Sequence, residues 1–167
     1  MDAPRIIVLM GPAGAGKTTV GKPLAESLGW LFLDADDFHS PENVERMRHG
    51  IALTDAERAP WLATIRAALD RSLESGVNVV LACSALKADY RQALIPLHAE
   101  KSVCFVYLRA DAAVLRERLA HREGHYAGPS LLKSQLDTLE EPADALWVDA
   151  SRPPEEIIAR IRETLRL

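Results

Sequence analysis

Short, nearly uninterrupted apolar runs alternate along this chain with longer segments whose apolar residues recur every three or four positions. The runs cover residues 5–10 (RIIVLM), 30–34 (WLFLD), 77–84 (VNVVLACS), 102–108 (SVCFVYL) and 145–149 (ALWVD). None alternates polar with apolar, so each reads as a strand covered on both faces. The helical segments are 17–28, 55–75, 88–97, 112–121 and 154–165. Strict alternation of strand and helix predicts a three-layer α/β/α domain around a five-stranded parallel sheet with right-handed crossovers.

Punctuation supports these bounds. Thr54 followed by Glu57 predicts a capping box for the 55–75 helix, and Gly76 its end. Asp111 is expected to cap the 112–121 helix and Gly124 to stop it. Pro23 lies inside the first helix, where it removes a donor and is expected to kink the axis. The stretches 36–54 and 122–142 lack clear strand or helix character and are read as lid or substrate loops.

At 167 residues the chain is expected to form one domain. Apolar residues make up 48% and charged residues 26%, which excludes disordered, collagenous and disulfide-stapled classes. With 20 Lys+Arg against 24 Asp+Glu the net charge is −4, so no global positive field attracts nucleic acid or an anionic membrane, and an anionic ligand needs a local cluster of donors. Cys83 and Cys104 sit in apolar runs without metal-ligand spacing and read as reduced core residues. The five apolar residues before Gly11 are too few for a signal peptide, and no 18-residue apolar stretch occurs, so a cytoplasmic protein is expected.

Chemistry enters directly after the first run. Gly11-Pro12-Ala13-Gly14-Ala15-Gly16-Lys17-Thr18, followed by Thr19, matches G-x-x-x-x-G-K-[ST] between a strand and a helix. The backbone N–H groups of such a loop cradle phosphates at a helix N-terminus. Lys17 is expected to reach the β- and γ-phosphates of ATP, and the Thr18 hydroxyl to ligate Mg²⁺. The motif fixes a nucleoside triphosphate but not its use, which could be in a kinase, a switch or a motor.

The second run ends in Asp34-Ala35-Asp36-Asp37-Phe38-His39, carboxylates at the tip of a strand beside the phosphate loop. Asp36 is assigned to the acceptor hydroxyl, Asp34 to Mg²⁺ through water, and Asp37 reads as a solvated acidic turn. Lys87 and Arg91 follow the third run at i, i+4, a cation pair suited to an acidic substrate or the transferred phosphoryl group. Arg118 and Arg122, also i, i+4, lead into the second irregular stretch, where one could stack on the base and the other serve phosphate oxygens as an arginine finger supplied in cis. His121 and His125 share that spacing, but Gly124 interrupts the helix and no third zinc ligand is near.

These blocks together resemble the small P-loop gluconokinases, relatives of the shikimate and adenylate kinases. The resemblance spans nearly the whole chain through GPAGAGKTT, LDADDFHSPENVERMRHGIALTDAERAPWL, VVLACSALKADYR, RLAHREGHY and LLKSQLDTLEEP. It implies a P-loop fold, MgATP as co-substrate and phosphorylation of the terminal hydroxyl of D-gluconate to 6-phosphogluconate. It further implies an acceptor segment at about residues 36–60 and a lid at about 118–142, and such relatives are often homodimers. A sugar acid needs a cation for its carboxylate, for which Arg48, Arg58, Lys87 and Arg91 are candidates. His39, His125 and Gln135 are candidates for its hydroxyls. A kinase for another small hydroxy acid and a non-catalytic nucleotide switch are the alternatives. The positive charge is expected to gather at Lys17, Lys87, Arg91, Arg118 and Arg122 around one crevice.

Overall fold

The computed structural model describes residues 3–122 and 129–167. Five strands, β1 (Ile6–Met10), β2 (Leu31–Asp34), β3 (Val79–Ala82), β4 (Val103–Arg109) and β5 (Leu146–Asp149), form one sheet in the order β2-β3-β1-β4-β5. Every neighbouring pair is parallel. All five apolar runs are therefore strands, each trimmed by one or more residues at an end. β1 and β3 are buried throughout, as a run without polar alternation requires. β2 and β5 depart from that expectation. They are the sheet edges, and Leu31 and Trp147 remain exposed.

Successive β1 residues point to opposite faces and seed two cores. Ile7 and Leu9 pack with Val20 and Leu24 of α1 (Lys17–Leu28) and Ile157 and Ile161 of α7 (Pro154–Leu165). Ile6, Val8 and Met10 pack with Leu62, Ile65 and Leu69 of α3 (Asp55–Glu74) and Leu94 of α4 (Ala88–Leu94). This is the predicted three-layer arrangement. Close approach has a sequence cause at Gly21 in α1, where a Cβ would sit 2.7 Å from the Phe32 ring and 3.2 Å from Leu9 Cδ1.

Among the described residues two local signals fail, at Asp111 and at the end of the fourth helix. The Thr54 hydroxyl accepts from the Glu57 amide at 3.2 Å and the Glu57 carboxylate accepts from the Thr54 amide at 3.4 Å, completing the capping box. Asp111 occupies the N-cap position of α5 (Ala112–Ala120), but its carboxylate accepts from Arg109 at 2.9 Å instead of capping. The helix expected to reach residue 97 ends at Leu94, because Ile95 precedes Pro96 and takes an extended conformation. Pro23 does not end α1, and its ring lies on the exposed face, where water can satisfy the carbonyl it leaves without a donor.

The two stretches read as irregular hold helices. A short 3₁₀ turn (Ala35–Phe38) and α2 (Pro41–Arg48) occupy the first, and α6 (Pro129–Thr138) the second. The Ser40 hydroxyl accepts from the Asn43 amide at 3.2 Å and Pro41 opens α2, but none of its residues is buried, so no apolar stripe announces it. Gly124 and His125 lie outside the described residues. No described helix is long and apolar enough to cross a membrane.

Candidate active site

The chain leaves β1 toward β2 and leaves β4 toward β5, on opposite sides, so the carboxyl ends of β1 and β4 flank the crevice where open α/β sheets bind ligands. The loop from Gly11 to Lys17 fills that position. Gly11, Gly14 and Gly16 have φ of +148°, +86° and +95°. A Cβ on Gly11 would lie 3.0 Å from the Leu108 carbonyl and one on Gly14 3.1 Å from the Leu115 carbonyl, so the loop is seated directly on β4 and α5.

The Lys17 ammonium folds back across the loop and donates to the Gly11 carbonyl at 2.9 Å and the Pro12 carbonyl at 3.1 Å. Burial pushes it below the usual lysine range, while Asp36 and Asp34 pull the other way. The Thr18 hydroxyl donates to the Asp34 carboxylate at 3.3 Å, and the other Asp34 oxygen accepts from the Asp36 amide at 3.0 Å. Thr18 and Asp34 thus present adjacent oxygens beside the phosphate loop, a donor set that suits a hard divalent cation. Lys17, Thr18, Asp34, Asp36 and Arg122 line one cleft together with Ala13, Gly14 and Gly16.

A second cavity adjoins it. Its walls include His39, Arg58, Trp61 and Tyr90, and it shares Asp36, Met47, Ser84, Leu131 and Gln135 with the phosphate cleft. The His39 ring stacks on Trp61, whose indole N–H donates to the Ala35 carbonyl at 2.7 Å. Burial, helped by the Arg58 charge, pushes the His39 imidazole down to about 4, and its buried Nδ1 has no hydrogen-bond partner among the described residues. Arg58 donates to the Tyr90 hydroxyl at 2.9 Å, with its guanidinium 5.2 Å from the centre of that ring. Tyr90 in turn donates to Asp55, and with Lys87 holds that carboxylate below its usual range.

A third, more open groove runs along the outer side of the loop past Gly16, Thr19, Arg118, His121, Arg122 and Pro154. Arg118 lines it, and also donates to the carbonyls of Gly14 (3.2 Å), Ala15 (3.4 Å) and Ala150. It thereby ties α5 to the loop and to the chain after β5. Arg122 borders both this groove and the phosphate cleft.

The expected ring of five cations is not what the fold assembles. Arg91 is buried and donates to the carbonyls of Ala85 (2.8 Å), Leu86 (3.3 Å) and Glu140 (3.0 Å), inside the scaffold rather than facing ligand. Lys87 is not its partner on a helix face, since it precedes α4 and pairs with Asp55 at 3.3 Å on the rim. Arg48 is exposed at the end of α2 and lines none of the three cavities. Among the described residues, Lys17, Arg58, Arg118, Arg122 and Arg152 are the Lys and Arg side chains that line them. Sequence reasoning passed over Trp61 and Tyr90, whose aromatic character in a chain with 5% aromatics was the available signal. Glu140 was also missed. Its carboxylate accepts from the Ala88 amide at 2.8 Å, and its own amide donates to Leu86 at 2.8 Å.

Comparison with known proteins agrees with this geometry. The family model described as AAA domain matches residues 6–146. A gluconokinase of Gluconobacter oxydans is 42% identical, with 95% of this chain and 89% of that protein aligned. A crystal structure of a gluconokinase from Sinorhizobium meliloti superposes with a TM-score of 0.81 at 41% identity, over 99% of this chain and 98% of that one. An unliganded sugar kinase from Janibacter reaches 0.89 at 42% identity, over 98% and 95%.

Proposed function

The chain belongs to the gluconokinase family, and from that premise we propose that it transfers the γ-phosphoryl group of ATP to the terminal hydroxyl of D-gluconate, giving 6-phospho-D-gluconate and ADP. One observation carries the reading: Asp36 stands on the shared wall of the phosphate cleft and the neighbouring cavity, at the point where an acceptor hydroxyl would meet a γ-phosphate.

Phosphoryl transfer passes through a loose transition state, so positioning and charge stabilisation do most of the catalysis. The loop amides and Lys17 hold the β- and γ-phosphates, and Arg122 supplies charge from the nucleoside side. Thr18, with Asp34 through water, would hold Mg²⁺, which when bound neutralises developing charge on the phosphate oxygens. Asp36 orients the acceptor hydroxyl. As the new O–P bond forms and the bond from the γ-phosphorus to the ADP oxygen breaks, the hydroxyl proton passes to the Asp36 carboxylate.

The acceptor cavity suits a polyhydroxy acid. Of the four basic candidates for the carboxylate, Arg58 lines it. Tyr90 takes one of the five donors of its guanidinium, leaving others for a carboxylate. A His39 imidazole that is neutral at pH 7 offers one donor and one acceptor to hydroxyl groups.

The test is a coupled assay of ADP release with MgATP and D-gluconate, shikimate, nucleoside monophosphates or no acceptor. Gluconate alone is expected to raise the rate strongly. No rise with gluconate alongside a rise with another acid would overturn the substrate.

A further inference from the structure

Gln135 connects the two halves of the site in a way that the transfer reaction does not require. Its side-chain oxygen accepts from the backbone N–H of Ala13 at 2.7 Å, across 122 residues of sequence. Ala13 belongs to the phosphate loop and lines the phosphate cleft. Gln135 lines that cleft and the acceptor cavity as well, where its neighbours on α6 are Leu131, Ser134 and Thr138.

An amide N–H has one proton to give. A phosphate oxygen that takes the Ala13 N–H must displace the Gln135 oxygen, and a charged acceptor forms roughly twice as strong a hydrogen bond as a neutral amide. The displaced carboxamide then has an oxygen and an NH₂ group to satisfy at the wall of the acceptor cavity. A sugar acid in that cavity presents hydroxyls able to do both. Conversely, an acceptor hydroxyl that engages Gln135 first leaves the Ala13 N–H free for phosphate.

We propose that Gln135 is a positioning residue that couples the two substrates: it occupies a phosphate-loop donor while the nucleotide site is empty and is handed to the acceptor when phosphate arrives. The inference rests on the reading of the acceptor as gluconate, and it makes the two binding events mutually favourable. By linkage the factor is the same whichever substrate binds first.

The test uses the full chain and two readouts. In ¹⁵N-labelled protein, the Ala13 amide of the nucleotide-free wild type should differ clearly in shift and solvent exchange from that of Gln135→Met, which keeps the side-chain bulk but removes the carbonyl. On addition of a non-hydrolysable MgATP analogue the two should converge. By calorimetry, saturating gluconate should tighten binding of the analogue to the wild type about 5-fold or more. In Gln135→Met and Gln135→Ala that ratio should fall to about 1, with analogue affinity in the absence of gluconate unchanged or improved. Retention of the full ratio in both variants, or identical Ala13 signals in wild type and variant without nucleotide, would overturn the proposal. If gluconate does not bind at all, the substrate reading fails. The Ala13 signal still decides the Gln135 contact, and the ratio is then measured with whichever acid stimulates ADP release.

Discussion

The imidazole of His39 lies flat on the indole of Trp61, ring centroids 4.2 Å apart and planes 12° apart, with Arg58 close enough to disfavour a second positive charge. Burial and that charge bring the imidazole from an ordinary value of 6.5 down to about 4. A histidine depressed in the folded state binds a proton more readily once unfolded. Its contribution to stability is therefore complete above about pH 6.5 and is lost as pH falls toward 4. Denaturant titrations of the wild type between pH 4 and 7 should show stability rising with pH, and His39→Gln should flatten that rise. An unchanged slope in the variant would mean that the imidazole titrates normally.

Asp36 and Lys17 face the same cleft but should fail differently when removed. Loss of a group that orients the nucleophile and takes its proton typically costs 10²–10⁴-fold in rate. Asp36→Ala should therefore lower kcat by about that factor with little change in ATP affinity. Lys17 reaches across the loop, 2.9 Å from the Gly11 carbonyl, so Lys17→Ala should damage both nucleotide affinity and kcat. Steady-state kinetics beside nucleotide titrations separate the two, and a fully active Asp36 variant would remove it from the proton-accepting role.

Arg91 marks the boundary of what the sequence makes legible. Strands, the phosphate loop, Thr18 with Asp34, and Asp36 all follow from local pattern, because a buried strand must be apolar and a phosphate loop must be glycine-rich. The direction of a long side chain does not follow from local pattern. Arg91 satisfies a chain bend in which Ala85 adopts φ +46°, and it does so through carbonyls of Ala85, Leu86 and Glu140, the last 49 residues away. The i, i+4 spacing from Lys87 carried no information about that. The exposed α2 went unread for a related reason, since its start signal, Ser40-Pro41, was present but no buried stripe accompanied it.

That placement gives Arg91 and Lys87 distinct phenotypes. Arg91→Ala leaves carbonyl groups without a donor in a buried setting, at about 1–3 kcal/mol for such a group. It should lower the thermal midpoint by several degrees and raise the KM for gluconate through disorder of the 84–87 turn, with ATP affinity nearly intact. Lys87→Ala removes a rim charge paired with an exposed carboxylate and should leave stability within about 0.5 kcal/mol of wild type. Calorimetric melts of both variants check this. Equal, small effects would return Arg91 to the surface.

Arg58 should decide between acids and neutral polyols. It lines the acceptor cavity, and Tyr90 and Asp55 hold its guanidinium from one side, at 2.9 and 3.7 Å. A bidentate carboxylate contact needs that fork, which lysine cannot reproduce. Arg58→Lys should raise the KM for gluconate about 10-fold or more, and Arg58→Gln further, while the KM for ATP changes little. The neutral sugar alcohol of the same carbon skeleton, a poor acceptor for the wild type, should lose nothing additional in either variant, because it has no carboxylate to forfeit. Kinetics with the two acceptors side by side measure the difference. If the variants weakened both acceptors equally, Arg58 would be shaping the cavity through Tyr90 and not binding the acid group.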